Sequence, residues 1–145
     1  MEKVMTAERL RVRDAGGEGY EVLDYDGQPI AICATIVHAA QYVRGLAARF
    51  WLDWTLNPAT SSVSASFLGS DSVGRIQRDK SRGQREGAWR WSISTNDNRW
   101  RNDEGPRGHE HGKDLAVVRL EHEFTCYLAN TPYGHSPYAR AKGLE

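Results

Sequence analysis

Polar and apolar residues alternate along the first third of the chain as half-buried strands require. In residues 8–14, Leu10 and Val12 alternate with arginines, which is the period of two expected of a β-strand. Residues 20–25 and 28–34 follow as two further strands with the same character. The first third of the chain is therefore predicted to form three antiparallel strands.

Turn and cap residues mark where these elements begin and end. Asp26 and Gly27 both tolerate positive φ, so this pair predicts a two-residue hairpin turn. Thr35 is expected to cap a helix that runs to about Trp54, because apolar residues recur along it at spacings of three and four. Gly45, inside this predicted helix, would permit a close approach to the sheet.

The second half of the chain repeats this order of elements. Residues 55–61 are rich in Pro, Ser and Thr and are predicted to be a linker. Alternation then predicts strands at 63–67, 73–79 and 88–95, of which the last has the clearest pattern because its Trp and Ile residues alternate with Arg and Ser. A final helix is predicted over residues 114–129, with its aspartate as the cap. Its predicted apolar face comprises Val117, Leu120, Phe124, Tyr127 and Leu128.

These elements predict the α+β class, with mostly antiparallel sheet, two helices packed on it and the order βββα-βββα. A chain of 145 residues fits one domain. We expect a single domain over 1–145, with strand-rich halves at about 8–54 and 62–130 and a tail at 131–145. The six strands would form either one sheet or two small sheets.

Composition places the chain among globular proteins, with 39% hydrophobic and 26% charged residues. No stretch approaches the ~20 apolar residues of a membrane span, and the N-terminal segment lacks the apolar core of a signal peptide. A cytoplasmic location is therefore expected, with Cys33 and Cys126 as reduced thiols. Leu144 and Glu145 are either native residues or a cloning scar, and no functional hypothesis is based on them.

Charge is balanced overall but unevenly distributed. The chain has 19 basic and 19 acidic residues, and this neutrality argues against a dedicated nucleic-acid-binding protein. Residues 1–34 carry four basic and seven acidic side chains, whereas residues 75–107 carry nine basic and five acidic ones. The second segment therefore has a local positive field that could attract an anionic partner.

Arginine and tryptophan residues in and near that segment form the candidate binding surface. Aromatic rings framed by arginines hold single-stranded nucleic acids, and the same residue types anchor protein interfaces. Trp89 and Trp91 are assigned to the core because they alternate with polar residues. The candidate binding residues are Arg82, Arg85, Arg90, Arg99, Trp100 and Arg101.

Histidines in the long polar loop predicted at 96–113 are the candidate metal ligands. His109 and His111 lie two residues apart, and imidazole and carboxylate groups are the usual zinc ligands. A third ligand could come from Asp114, Glu110 or His135. Because no fixed third ligand and no HExxH or CxxC spacing is present, we expect a solvated loop without metal or cofactor; any metal would be held by His109, His111 and Asp114.

No set of residues in the sequence has the spacing of a known catalytic motif. His122 and Cys126 lie one helical turn apart and could form a thiolate dyad. The preferred interpretation is a small buried thiol beside a surface histidine, because free Cys is commonly a core residue. We therefore assign no catalytic residue and expect a protein that is not an enzyme.

Two parts of the sequence resemble small proteins of alphaproteobacteria and their prophages. The segment from Tyr20 to Ala31, leading into an alanine-rich helix, resembles a ββα pattern in such proteins. The segments 67–69, 73–76 and 89–93 are similar to the same group. The resemblance implies an accessory or mobile-element protein, a class that includes inhibitors such as anti-CRISPR proteins, which act by occupying a surface.

The leading functional hypothesis is a non-enzymatic binding protein that engages a protein or nucleoprotein partner through the surface of residues 80–107. One alternative is direct nucleic-acid binding by the same surface. Another is a metal-dependent hydrolase built on His109 and His111. No membrane partner is expected, and the sequence predicts no oligomeric state.

Overall fold

The computed structural model describes residues 8–69, 71–79, 87–95 and 106–129, with positions 139, 142 and 144. These residues form two α-helices and nine strands, which confirms the α+β class. The predicted order βββα-βββα is wrong, because six strands and not three separate the helices. The elements are β1 (Arg9–Asp14), β2 (Tyr20–Leu23), β3 (Pro29–Cys33), α1 (Ile36–Gly45), β4 (Arg49–Phe50), β5 (Asp53–Asn57), β6 (Ser62–Phe67), β7 (Asp71–Arg78), β8 (Ala88–Ile93), β9 (Arg107–His111) and α2 (Lys113–Ala129).

The chain divides into two compact units, each with its own sheet. The first unit comprises Met1–Trp51 and Phe124–Glu145, and the second comprises Leu52–Glu123. A four-stranded sheet of order β3-β2-β1-β4 lies in the first unit, and a five-stranded sheet of order β5-β6-β7-β8-β9 lies in the second. Of the two predicted arrangements, two separate sheets are therefore the observed one.

The first unit packs α1 against its four-stranded sheet. β1–β2 and β2–β3 are antiparallel pairs, whereas β1 and β4 are parallel. Every large side chain that α1 buries is aliphatic, and the helix contacts β2, β3 and β4. The buried helix residues are Ile36, Val37, Ala39, Ala40 and Val43.

The β2–β3 connection is longer than the predicted two-residue turn. Asp24 Oδ1 accepts hydrogen bonds from the backbone N–H groups of Asp26 and Gln28, each at 2.9 Å. The backbone N–H of Asp24 also donates to the Gln28 carbonyl at 2.8 Å. An aspartate that bonds its own following backbone supports a turn by itself, so residues 24–28 form a wider loop.

The start of α1 is as predicted, but its end is not. Thr35 is the N-cap, and its Oγ1 accepts from the His38 N–H at 3.1 Å. The predicted extension to Trp54 is wrong because α1 ends at Gly45. A Cβ at Gly45 would meet nothing within 4 Å, so the expected close approach to a sheet at this glycine is also wrong.

The chain after α1 continues as strand because its apolar residues also fit a period of two. Ala48, Phe50 and Leu52 are all buried at alternate positions. Backbone hydrogen bonds to β1 and the residue before it favour the strand over the helix, since the Arg49 N–H donates to the Glu8 carbonyl at 3.1 Å. Apolar spacing alone cannot separate a helix from a strand over so short a segment.

The second unit is an antiparallel meander in which every strand pairs with its neighbour in sequence. Residues 58–61, within the segment predicted as a linker, form the turn between β5 and β6. β9 lies in the segment predicted as a long polar loop, so that part of the loop prediction is wrong. Apolar and polar residues do not alternate in β9, because the residues that face its inner side are glycine and glutamate.

α2 covers one face of the five-stranded sheet, which we call the inner face. Val63, Ala65 and Phe67 of β6 are buried there, as are Trp91 and Ile93 of β8. At Gly74 the helix comes so close that a Cβ would lie 3.1 Å from Leu120 Cδ1 and would collide with the Ser92 carbonyl oxygen. This glycine permits the observed packing of α2.

A buried carboxylate adds a polar anchor to the second unit. Glu121 is fully buried, and its Oε2 accepts from the Leu52 N–H at 3.1 Å and from the Trp54 indole N–H at 3.0 Å. Buried polar groups need such partners, because an unsatisfied buried donor costs about 1–3 kcal/mol. Glu121 thus fixes the chain where it enters β5.

The predicted apolar face of α2 is largely confirmed. Leu120, Phe124 and Leu128 are fully buried, and the helix ends at Ala129 as predicted. It begins at Lys113, so Asp114 lies in the first turn and is not the cap. None of the helices in the described part of the chain is long and apolar enough to cross a membrane.

Residue Leu144 belongs to the folded first unit. It is buried, and its carbonyl accepts a hydrogen bond of 3.2 Å from the N–H of Ile36, the first residue of α1.

Two glycine substitutions should have opposite effects on stability. Gly74→Ala should lower the free energy of unfolding by at least about 1–3 kcal/mol, because its Cβ has no space between α2 and β8. Gly45→Ala should be neutral or raise it by up to about 1 kcal/mol, because it lies in open space and alanine favours helix. Urea unfolding of both variants measures this difference, and equal effects would contradict the packing described at Gly74.

Candidate functional site

The outer face of the five-stranded sheet, opposite α2, carries a row of basic side chains. Strand pairing places these residues side by side, and alternate residues of a strand share a face. One row across β7, β8 and β9 is Arg75, Ser92 and Arg107, and the next is Gln77, Arg90 and His109. Three arginines from three strands therefore lie together on the outer face.

These arginines face solvent. Arg75, Arg90 and Arg107 are all exposed, and Arg90 Nη2 donates to the neighbouring Gln77 Oε1 at 3.3 Å. Strands lie about 4.8 Å apart, so Arg75 and Arg107, two strands apart, are separated at the backbone by about 10 Å. That separation lets each guanidinium contact a different anionic group.

Few carboxylates balance this charge among the described residues of the outer face. Asp79, which follows β7, is buried and bound to His109. Asp53 is exposed but lies on β5, at the opposite edge of the sheet. Among the described residues, basic side chains therefore outnumber acidic ones on the outer face of β7–β9, which suits an anionic partner.

Asp79 and His109 form a hydrogen-bonded pair beside the arginines. His109 Nε2 lies 2.6 Å from Asp79 Oδ2, with the aspartate side chain 2% exposed and the histidine side chain 49% exposed. A charge-assisted bond of this length is among the stronger hydrogen bonds in proteins. The buried carboxylate thereby holds the exposed imidazole in one orientation.

The predicted metal ligands are only partly brought together. His109 and His111 share the outer face of β9, whereas Glu110 between them projects to the inner face and accepts from Arg119 Nε at 3.3 Å. Asp114 lies in the first turn of α2. Among the residues that the structure describes, no group of three His, Cys, Asp or Glu side chains could hold a metal ion; His135 lies outside them.

Of the six predicted binding residues, only Arg90 falls in the described part of the chain. It lies on the outer face, as the alternation of β8 requires. Arg82 and Arg85 belong to the segment between β7 and β8, and Arg99, Trp100 and Arg101 belong to the segment between β8 and β9. These five lie outside the described residues.

Sequence reasoning missed Arg75, Arg107 and the Asp79–His109 pair as parts of one surface. Arg75 and Arg107 are 32 positions apart in the sequence, and only strand pairing brings them to either side of Ser92. The assignment of Trp91 to the core is confirmed, since it is buried with Ile93, while Trp89 is half-buried.

A second surface with binding chemistry lies on the first unit. The guanidinium carbons of Arg9 and Arg11 lie 4.7 and 4.4 Å from the ring centroid of Trp51, and Arg11 Nη1 donates to the Trp51 carbonyl at 3.2 Å. Tyr25 stacks on Trp51 with 5.9 Å between centroids. The arginines of β1 are therefore ordered by an aromatic side chain.

Exposed apolar side chains lie on the same sheet, in β3 and in the loop between β2 and β3. Tyr25 is 70% exposed and Ile32 of β3 is 56% exposed, with Ile30 at 41%. The third arginine of β1, Arg13, is bound to Glu21 through Nε at 2.6 Å. We call Tyr25, Ile30, Ile32 and Trp51 the apolar patch of the first unit.

The two cysteines lie on different elements, Cys33 on β3 and Cys126 on α2. Cys33 and Cys126 are both half-buried and are not in a disulfide within the described residues. Burial raises the pKa of the Cys33 thiol above its ordinary value, so its reactive thiolate form is scarcer near neutral pH. His122 and Cys126 lie one turn apart on α2, as predicted, and both are half-buried.

Comparison of the chain with protein-family models, with curated proteins and with solved structures finds no match. Its function is therefore inferred from the geometry of its own residues.

The two histidines of β9 should differ in their effect on stability. His109→Ala should lower the free energy of unfolding by about 1–3 kcal/mol, because it removes a hydrogen bond from the buried Asp79 carboxylate. His111→Ala should change it by less than about 0.5 kcal/mol, because this residue is exposed. Thermal and urea unfolding compare the two variants, and equal losses would argue against a stabilising Asp79–His109 bond.

Proposed function

We propose that the protein binds nucleic acid, free or within a nucleoprotein, through the outer face of its five-stranded sheet. The observation that carries this proposal is the set of three exposed arginines that strand pairing gathers on one polar face. Arginine binds phosphate oxygens through its planar guanidinium, often with two hydrogen bonds at once. An inhibitor of a host nucleoprotein, the class suggested by the resemblance to prophage proteins, would use the same face.

Polar side chains around the arginines support this proposal. Ser92 lies between Arg75 and Arg107, and Gln77 lies beside Arg90. Hydroxyl and amide groups of this kind commonly contact phosphate and sugar oxygens. The surface is therefore suited to the backbone of a nucleic acid, which has one negative phosphate per nucleotide. A preference for particular base sequences would require contacts with the bases in addition.

Binding to nucleic acid should be strongly salt-dependent. Each phosphate contact with a single strand contributes about −0.7 to the slope of log K against log salt. Three arginine contacts then predict a slope of about −2, or roughly a 20-fold loss of affinity between 50 and 200 mM NaCl. Fluorescence anisotropy with a labelled deoxyribonucleotide 20-mer measures this slope.

A matched pair of variants tests which face is used. The triple variant Arg75→Gln, Arg90→Gln and Arg107→Gln should bind weakly and with a slope near zero. Arg78→Gln is the control, because Arg78 is an exposed arginine of β7 that alternation places on the inner face. Lack of binding by the wild-type protein at low salt, or unchanged binding by the triple variant, would overturn the proposal.

A second candidate function is protein binding through the apolar patch of the first unit. The Tyr25 and Trp51 rings, stacked with two arginines and accompanied by exposed Ile side chains of β3, have the composition of protein-interface hot spots. A partner that fits it presents an apolar anchor next to acidic groups. This candidate corresponds to the protein partner predicted from the sequence, but at a different surface.

The double variant Tyr25→Ser and Ile32→Ser should lose a protein partner that the wild-type chain retains in affinity purification. Tyr42→Ser is the matched control, since Tyr42 is a partly exposed tyrosine on α1. Truncation of an interface anchor commonly costs 2 kcal/mol or more, which is about a 30-fold loss of affinity. A partner kept equally by both variants would exclude the apolar patch as its binding site.

A further inference from the structure

Two histidines stand side by side on the basic outer face of the five-stranded sheet. His109 and His111 are two residues apart in β9, so they share one face with about 6.6–6.8 Å between their Cα atoms. Both are exposed. Histidine transfers protons readily near neutral pH, and a pair of them can therefore serve one reaction as base and acid.

Asp79 fixes the protonation pattern of the first of these histidines. The Asp79 carboxylate, with its side chain 2% exposed, lies 2.6 Å from His109 Nε2. An ionised carboxylate can only accept a hydrogen bond, so the proton of the neutral imidazole is on Nε2. His109 Nδ1 is then the acceptor nitrogen and can take a proton from a substrate.

Two arginines lie beside His109. Arg90 is directly opposite His109 in the β8–β9 pairing, and Arg107 precedes His109 by two residues on the same face. Guanidinium groups stabilise the charge that develops on phosphoryl oxygens in a transition state. One face therefore combines an oriented base, a second proton-transfer group and two phosphate-binding groups.

We propose that this site cleaves single-stranded RNA by internal transesterification, with His109 as general base and His111 as general acid. This inference rests on the proposed binding of nucleic acid by the outer face. Asp79 acts through His109 and is a positioning residue. Arg90 and Arg107 hold the non-bridging oxygens of the scissile phosphate.

The reaction is balanced without any co-reactant. The 2′-hydroxyl oxygen forms a bond to the adjacent phosphorus while its proton passes to His109 Nδ1. The bond between phosphorus and the 5′-oxygen breaks, and its electron pair leaves with that oxygen, which receives a proton from His111. The products are a 2′,3′-cyclic phosphate and a 5′-hydroxyl, and the reverse proton transfers through solvent restore both histidines.

The spacing of the histidines fits this division of roles. The attacking and leaving oxygens lie on opposite sides of the phosphorus, and each must come within about 2.6–3.2 Å of its proton-transfer group. Two side chains on one strand, separated by one residue that points to the other face, can reach the two oxygens from the same side. DNA lacks the 2′-hydroxyl, so it can bind this face but cannot react.

The experiment uses the full-length protein and a pair of labelled 20-mers of the same mixed sequence, one of RNA and one of DNA, in the presence of EDTA. We expect cleavage of the RNA alone, with fragments that end in a 2′,3′-cyclic phosphate by mass spectrometry. His109→Ala and His111→Ala should each lower the rate at least 100-fold. His38→Ala, which alters an exposed histidine of α1, is the control and should retain the wild-type rate.

The role of Asp79 is measured separately. Asp79→Asn should lower kcat at least about tenfold, because the amide can support the wrong histidine tautomer, while KM and the affinity for the DNA 20-mer stay unchanged. A purely structural role would change folding, which thermal unfolding of the same sample detects, and would weaken DNA binding together with cleavage.

The other possible results of the cleavage and binding experiments would each overturn the proposed cleavage of RNA. Intact RNA together with normal binding of the DNA 20-mer would overturn this inference and leave nucleic-acid binding standing, whereas failure to bind either strand would overturn both. Cleavage that EDTA abolishes, or that persists at the wild-type rate in His109→Ala or His111→Ala, would also overturn it. If an alanine variant does not fold, the corresponding glutamine variant is judged by the same 100-fold criterion.

Discussion

The alternation of side chains along each strand is the constraint on which the second unit depends. Successive residues point to opposite faces of a sheet, so burial of the inner face under α2 directs every other residue of β7, β8 and β9 to the outer face. Gly74 allows α2 to pack closely on the inner face, since an added Cβ would lie 3.1 Å from Leu120 Cδ1. The basic outer face is a consequence of that packing.

Buried polar groups then add order that apolar packing alone does not provide. Glu121 accepts hydrogen bonds from Leu52 and Trp54 where the chain enters β5, and Asp79 binds His109 at the other end of the meander. Burial of a carboxylate without hydrogen bonds costs much free energy. Each of these two groups therefore favours the local backbone and side-chain arrangement in which its hydrogen bonds are made. At Asp79 that geometry also orients an exposed imidazole beside two arginines, and this links stability to the proposed chemistry.

The first unit uses its basic residues differently. Arg9 and Arg11 lie over the Trp51 ring, and Tyr25 stacks on the same indole. A cation over an aromatic ring gains about 0.5–1 kcal/mol when exposed and about 2 kcal/mol when desolvated. These half-buried arginines are therefore held against the indole ring. They accompany an apolar patch, whereas Arg75, Arg90 and Arg107 accompany serine and glutamine. The same residue type thus points to a protein partner in one unit and to a phosphate backbone in the other.

The sequence by itself determined the α+β class, the start of α1 at its Thr35 cap, the end and apolar face of α2 and the inward orientation of Trp91. Each of these depends on local periodicity or on a cap, which neighbouring residues encode. Tertiary structure decided the end of α1, because Ala48, Phe50 and Leu52 satisfy both helical and strand spacing until β1 supplies backbone partners. It also decided β9, whose polar residues have no strand pattern, and with it the candidate site. Its residues are brought together only by strand pairing and lie up to 34 positions apart in the sequence: Arg75, Asp79, Arg107 and His109.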